Sequence, residues 1–105
     1  MTRAYVIAQA AVTNPEQYEG YKALAGAAVA KYGGKYIVRG GATHLLEGDW
    51  AHPKGTSCGA PPRLVILEFA SIEQARRFYD SPEYQAARQQ RQGAAQMNML
   101  VVEGL

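Results

Sequence analysis

Arg63-Leu64-Val65-Ile66-Leu67-Glu68-Phe69 is the stretch on which the fold turns. Branched and aromatic side chains dominate it, and Pro61-Pro62 before it and Ser71 after it set its ends, so it reads as a strand. Alternation puts Val65, Leu67 and Phe69 on one face and Leu64, Ile66 and Glu68 on the other. A sheet with one wet face would show apolar residues on one side only. Here both sides are apolar until Glu68.

Downstream, Ser71 and Gln74 form a capping box, and the helix it starts turns Ile72, Ala75, Phe78 and Tyr79 inward. Ser81-Pro82-Glu83 is a second helix start, with a helical stretch over 82–92 closed by Gly93, and 97–103 is the last strand. Upstream, 50–62 contains Pro53, Pro61, Pro62, Gly55 and Gly59 without periodicity and reads as a loop. Residues 43–47 can resume extended structure after Gly40-Gly41 breaks or bulges the strand at 35–39. Before that strand, Asn14, Pro15 and Glu16 open a helix over 15–32 whose stripe is Tyr18, Tyr21, Ala25, Ala28, Val29 and Tyr32, and Gly33-Gly34 ends it. Residues 3–12 are the first strand.

The order is βαββαβ in an α+β protein: a ferredoxin-like plan with one four-stranded antiparallel sheet, helices on one face, and the first and third strands central by right-handed crossovers. One domain over 1–105 accounts for the whole length. Helices cover one face only. On the other, Tyr5, Ile7, Leu64, Ile66, Leu100 and Val102 would stay wet. With about eight large side chains at about 1.5–3 kcal/mol each, the loss is on the order of 10–20 kcal/mol, as large as a domain's stability. An isologous homodimer, two sheets face to face in a closed dimeric α+β barrel, is the simplest cover.

Composition excludes several functions. The chain is 48% apolar and carries Lys+Arg 11 against Asp+Glu 9, a net +2, too little for a nucleic-acid footprint. Arg76-Arg77, Arg88 and Arg91 sit beside Glu73, Asp80 and Glu83 and read as a solvated helix face. RNA recognition on this topology needs aromatics on the open face of the third strand, which offers Leu64, Ile66 and Glu68. The single Cys58 permits no internal disulfide and lacks an activating neighbour, which points to a reducing, cytoplasmic setting. The apolar run after Arg3 falls short of a signal-peptide core, and no run is long enough to span a membrane.

Taken together, Tyr18-x-x-Tyr21, Tyr32-Gly33-Gly34, Arg39-Gly40-Gly41, Glu47-Gly48-Asp49-Trp50, the 64–69 strand ending Glu68-Phe69, Ser81-Pro82-Glu83-Tyr84-Gln85, Arg91 and Glu103-Gly104 resemble the domain of unknown function 1330 family, within the dimeric α+β barrel superfamily. The likeness covers nearly the whole chain, and the 50–62 loop is longer than the family's usual link. It implies the same fold and dimer and no particular reaction. Superfamily relatives include cofactor-independent oxygenases, lactone isomerases, haem-degrading enzymes and non-catalytic barrels, and fold does not choose among them.

Candidate site residues follow from side and chemistry. Glu68 should point into the barrel, as a general base or as an ion-pair partner of Arg39 or Arg63, the pairing being the plainer reading. Arg39 beside bare Gly40-Gly41 could clamp a carboxylate or enolate, or pair with Glu47 or Glu68 in a bulge. His44 could shuttle protons, and with Glu47, His52 and Cys58 could be drawn as a metal site, but the spacing matches no ligand motif and no metal is expected. Tyr5, Tyr36, Tyr79 and Tyr84 could line a pocket, with Glu47, Trp50 and Arg91 at its rim, although tyrosines so spaced are more often core with a wet tip. No cofactor motif is present. The expectation is a homodimer binding a small organic molecule between sheet and helices or within the barrel, and acting as a cofactor-independent oxygenase or isomerase; the alternative is a packed, non-catalytic dimer.

Overall fold

The computed structural model describes residues 2–48, 50 and 63–105. Its elements are β1 (Ala4–Val12), α1 (Pro15–Lys31), β2 (Lys35–Arg39), β3 (Arg63–Phe69), α2 (Ile72–Asp80), α3 (Pro82–Gln90) and β4 (Ala95–Glu103). The four strands form one antiparallel sheet in the order β2-β3-β1-β4, with three helices. This is the α+β, ferredoxin-like arrangement expected, with β1 and β3 in the centre.

Local chemistry sets the helix starts. The Asn14 side chain accepts from the Gln17 N–H, Ser71 from Gln74, and Ser81 from Tyr84, so each helix has an orphan donor satisfied. Pro15 and Pro82 occupy first-turn positions where no N–H is missed. The α1 stripe Tyr18, Tyr21, Ala25, Ala28 and Val29 is buried as its spacing requires.

Register sorts the sheet into two faces. Ala4, Val6, Ala8 and Ala10 of β1 pair with Phe69, Leu67, Val65 and Arg63 of β3, and all four β1 residues are buried beneath the helices. Phe69, Phe78 and Tyr84 are the largest fully buried side chains. Ring centroids 5.1 Å apart for Phe69–Phe78 and 4.7 Å for Phe78–Tyr84 lock α2 and α3 to the sheet. The opposite face, which we call the rear face, carries Tyr5, Ile7, Leu64, Ile66, Glu68, Leu100 and Val102. On it Leu100 is 57% exposed and Val102 45%.

Three expectations need correction. Residues 43–47 form no strand: they are irregular and exposed, and β3 takes its partners from β1 and β2. The last strand begins at Ala95, two residues early, because Ala95 pairs with Val12 at the end of the long β1. The third helix stops at Gln90 rather than 92, with Arg91 as its cap. The loop expected at 50–62, with His52 and Cys58, lies outside the described residues apart from Trp50. No helix among the described residues is long and apolar enough to cross a membrane.

Candidate functional site

Small residues create the space. β1 turns Ala8 and Ala10 toward α1, and α1 answers with Ala25, so sheet and helix cannot close fully between them. The resulting cleft is also lined by Tyr18, Tyr21, Tyr36 and Tyr84, by Met97 and Met99, and by the cations Lys22, Arg39 and Arg63. Its enclosed volume is about 40 Å³. No Asp or Glu among the described residues lines it.

Two features aim the arginines. β2 holds an irregularity: Tyr36 pairs with Leu67 and Val38 with Ile66, so Ile37 is one residue too many. Without it, Arg39 would share the rear face with Lys35, opposite Glu68. With it, Arg39 pairs with Val65, turns to the helix side, and sets its guanidinium carbon 4.4 Å from the Tyr36 ring centroid. Gly40 follows at φ +71°, its N–H donating to the Leu64 carbonyl at 2.8 Å. The Arg63 guanidinium lies where a Gly40 side chain would start, and its buried Nε meets no acceptor among the described residues. The bare backbone of Gly40 thus makes room for Arg63, a protein group rather than a ligand.

Burial raises the phenols. It pushes Tyr18 up against the pull of Arg63, and Tyr36 up against the pull of Arg39. Burial and the hydroxyl of Tyr84 hold Tyr21 far above the ordinary phenol range. Tyr18, Tyr21 and Tyr36 are therefore neutral O–H donors at neutral pH and poor bases. The Tyr21 and Tyr84 hydroxyls are 2.8 Å apart, and Tyr84 reaches the Met99 sulfur at 3.9 Å. Arg91 lies 5.3 Å from the Tyr21 ring centroid. Burial works against its charge, but Tyr84 and Tyr21 outweigh that and its pKa is raised.

The structure divides the residues singled out from sequence. Arg39 and Tyr36 line the cleft, and Arg91 packs beside it against Tyr21. Tyr5 and Glu68 are paired on the rear face, with Lys35 on the far side of Glu68, so the sheet separates Glu68 from Arg39 and the two cannot act on one ligand atom. Nor does Arg39 or Arg63 form an ion pair with Glu68 or Glu47 among the described residues. The Tyr5 ring rests on Gly104, whose N–H donates to the Arg3 carbonyl. His44, Glu47 and Trp50 are exposed on the segment after β2, and no metal-sized group of His, Cys, Asp or Glu forms among the described residues. Met97 faces the helices. Tyr18 and Tyr21, read as core, line the cleft, as does Tyr84, which is fully buried. Sequence reasoning missed Arg63 as a cleft residue. Ala8 and Ala10 beneath a tyrosine-bearing helix were the signal that space lay there.

These features define a ferredoxin-like α+β protein with a cationic, tyrosine-lined cleft between helix and sheet. The chain belongs to the family described as "Domain of unknown function (DUF1330)", which it matches over residues 3–105. It is similar to a protein of unknown function from Rhodopseudomonas palustris, with 17% identity, 99% of this chain and 83% of that one covered, and a TM-score of 0.74. It is also similar to SnoaB, a cofactor-independent oxygenase from Streptomyces nogalater, with 13% identity, 100% and 95% covered, and a TM-score of 0.68. A dimeric, ferredoxin-like protein of unknown function from Bacteroides fragilis shares 11% identity over 97% and 96% of the two chains, with a TM-score of 0.61. No curated protein matches the sequence.

Proposed function

We propose that the protein is a homodimer, joined through the rear faces of its sheets, that binds a small organic molecule in the cleft between α1 and the sheet of each subunit. The observation that carries the binding reading is the cleft itself: tyrosine hydroxyls and guanidinium groups converge on an otherwise apolar space. The rear face supports the dimer, because Leu100 and Val102 stand exposed beside half-buried Ile7, Leu64 and Ile66. The lone Cys58 supports a reducing compartment.

Binding fits the geometry better than the oxygenase or isomerase chemistry considered from sequence. Base catalysis in the cleft would need a carboxylate or a phenolate. No Asp or Glu among the described residues lines it, and burial keeps Tyr18, Tyr21 and Tyr36 protonated. The packed, non-catalytic dimer remains the second reading, favoured by the small enclosed volume of about 40 Å³.

A thermal-shift screen of small organic compounds tests the first reading, because a ligand at a hundred times its Kd stabilises by about 2.7 kcal/mol. Stabilising compounds should also shift the amide resonances of β2 and the middle of α1. A screen whose hits leave those resonances in place, or that yields no hits, rejects the cleft as a binding site and leaves the packed dimer.

A further inference from the structure

The charge of the cleft restricts what can enter it, and the argument rests on the binding reading above. Lys22 is paired with Glu19 at 2.9 Å. Arg39 and Arg63 form no ion pair among the described residues. The contact of Arg39 with the Tyr36 ring spends none of its five N–H donors, and the Arg63 Nε is buried without an acceptor among the described residues. A buried donor left unmade is costly and uncommon, so the Arg63 Nε, with the exposed guanidinium of Arg39 beside it over one cleft, marks a place for an anionic acceptor. Tyr18 and Tyr36, both neutral phenols, add donors and no negative charge.

We propose that the ligand is an aromatic carboxylate whose head group is held by Arg39 and Arg63 beside Gly40. The planar fork of a guanidinium matches a carboxylate in two-pronged fashion. A cavity needs about 10–15 Å³ of enclosed space to hold one water, so an enclosed space of about 40 Å³ suits a carboxylate head and excludes a ring. The ring then lies outside that space, among the tyrosine and methionine side chains of the cleft. Among the described residues no carboxylate lines the cleft to repel such a ligand.

The test is titration of isotope-labelled protein with benzoate and, separately, with its neutral isostere benzamide. Benzoate should move the resonances of Gly40 and β2, and benzamide should bind at least tenfold more weakly. Arg63→Gln, checked for folding by circular dichroism, should weaken benzoate about tenfold or more, the loss of a charge-assisted hydrogen bond. Arg63→Lys should recover only part of that, since a point charge lacks the fork. Arg39→Gln, at an exposed position, carries the same test if the Arg63 variants do not fold. Equal binding of benzamide and benzoate overturns the carboxylate assignment and leaves the cleft as a binding site. Unchanged benzoate affinity in a folded Arg39 or Arg63 variant does the same. If neither compound disturbs the cleft, this inference and the reading beneath it both fail.

Discussion

A side chain at Gly40 would face two obstacles. Its backbone sits at φ +71°, a left-handed conformation costing a residue with a Cβ about 1–2 kcal/mol, and the Arg63 guanidinium occupies the space the Cβ needs. Gly40→Ala should therefore lower stability by about 2–3 kcal/mol in urea unfolding. Made together with Arg63→Ala, it should cost only the backbone share, and a double-mutant cycle separates the two. A loss under about 0.5 kcal/mol in the single variant would contradict both causes. At this scale the sequence was only half legible. Arg39-Gly40-Gly41 advertised an unusual site, but the surplus residue is Ile37, an ordinary strand former with nothing in its chemistry to mark it. The side on which Arg39 falls depends on that residue, so its separation from Glu68 could not be read from residue types.

Helix starts were the most readable elements, because a cap and its acceptor geometry are written within four residues. Ser81 does two jobs at the α2–α3 corner. Its hydroxyl donates to the Phe78 carbonyl at 2.7 Å and accepts from the Tyr84 N–H at 3.1 Å, and the residue is buried. Ser81→Ala leaves the Tyr84 N–H unmet at a buried position, while the Phe78 carbonyl keeps the Ser81 N–H, and should cost about 1.5–2.5 kcal/mol by urea unfolding. Asn14→Ala, at an exposed cap with one such bond, should cost about 1 kcal/mol or less. Equal losses at the two positions would mean that the corner is not held by Ser81. Residues 43–47 misled for a different reason. Local preference permits a strand there, but pairing is decided by what lies alongside, and β3 is flanked by β2 and β1.

For the whole molecule, topology followed from the order of elements, and the apolar rear face followed from alternation in β1, β3 and β4. Its cover did not, since a second subunit leaves no mark in one chain beyond the greasy surface it would hide. Ile66 pairs with Ile7 near the middle of that face. If the rear faces join, Ile66→Lys should give monomer or aggregate by light scattering, while Ala23→Lys on the exposed side of α1 leaves assembly unchanged. A wild-type chain that stays monomeric at micromolar concentration, or an Ile66→Lys dimer, would contradict the arrangement. The cleft was less legible than the faces, because it arises where side chains are small, and an alanine in a strand reads as weak propensity rather than as room.

The extra residue in β2 bears on how this protein should be compared with others. In a pleated strand, the side a residue takes is a matter of odd or even count, and Ile37 shifts that count by one. A homologue whose second strand runs without interruption would deliver position 38, not 39, to the helix-facing chamber. Its guanidinium would have to come one codon earlier to do the same work. Aligning the two chains by matching arginine to arginine would then equate groups on opposite sides of the sheet, and likeness of letters would conceal a difference of place.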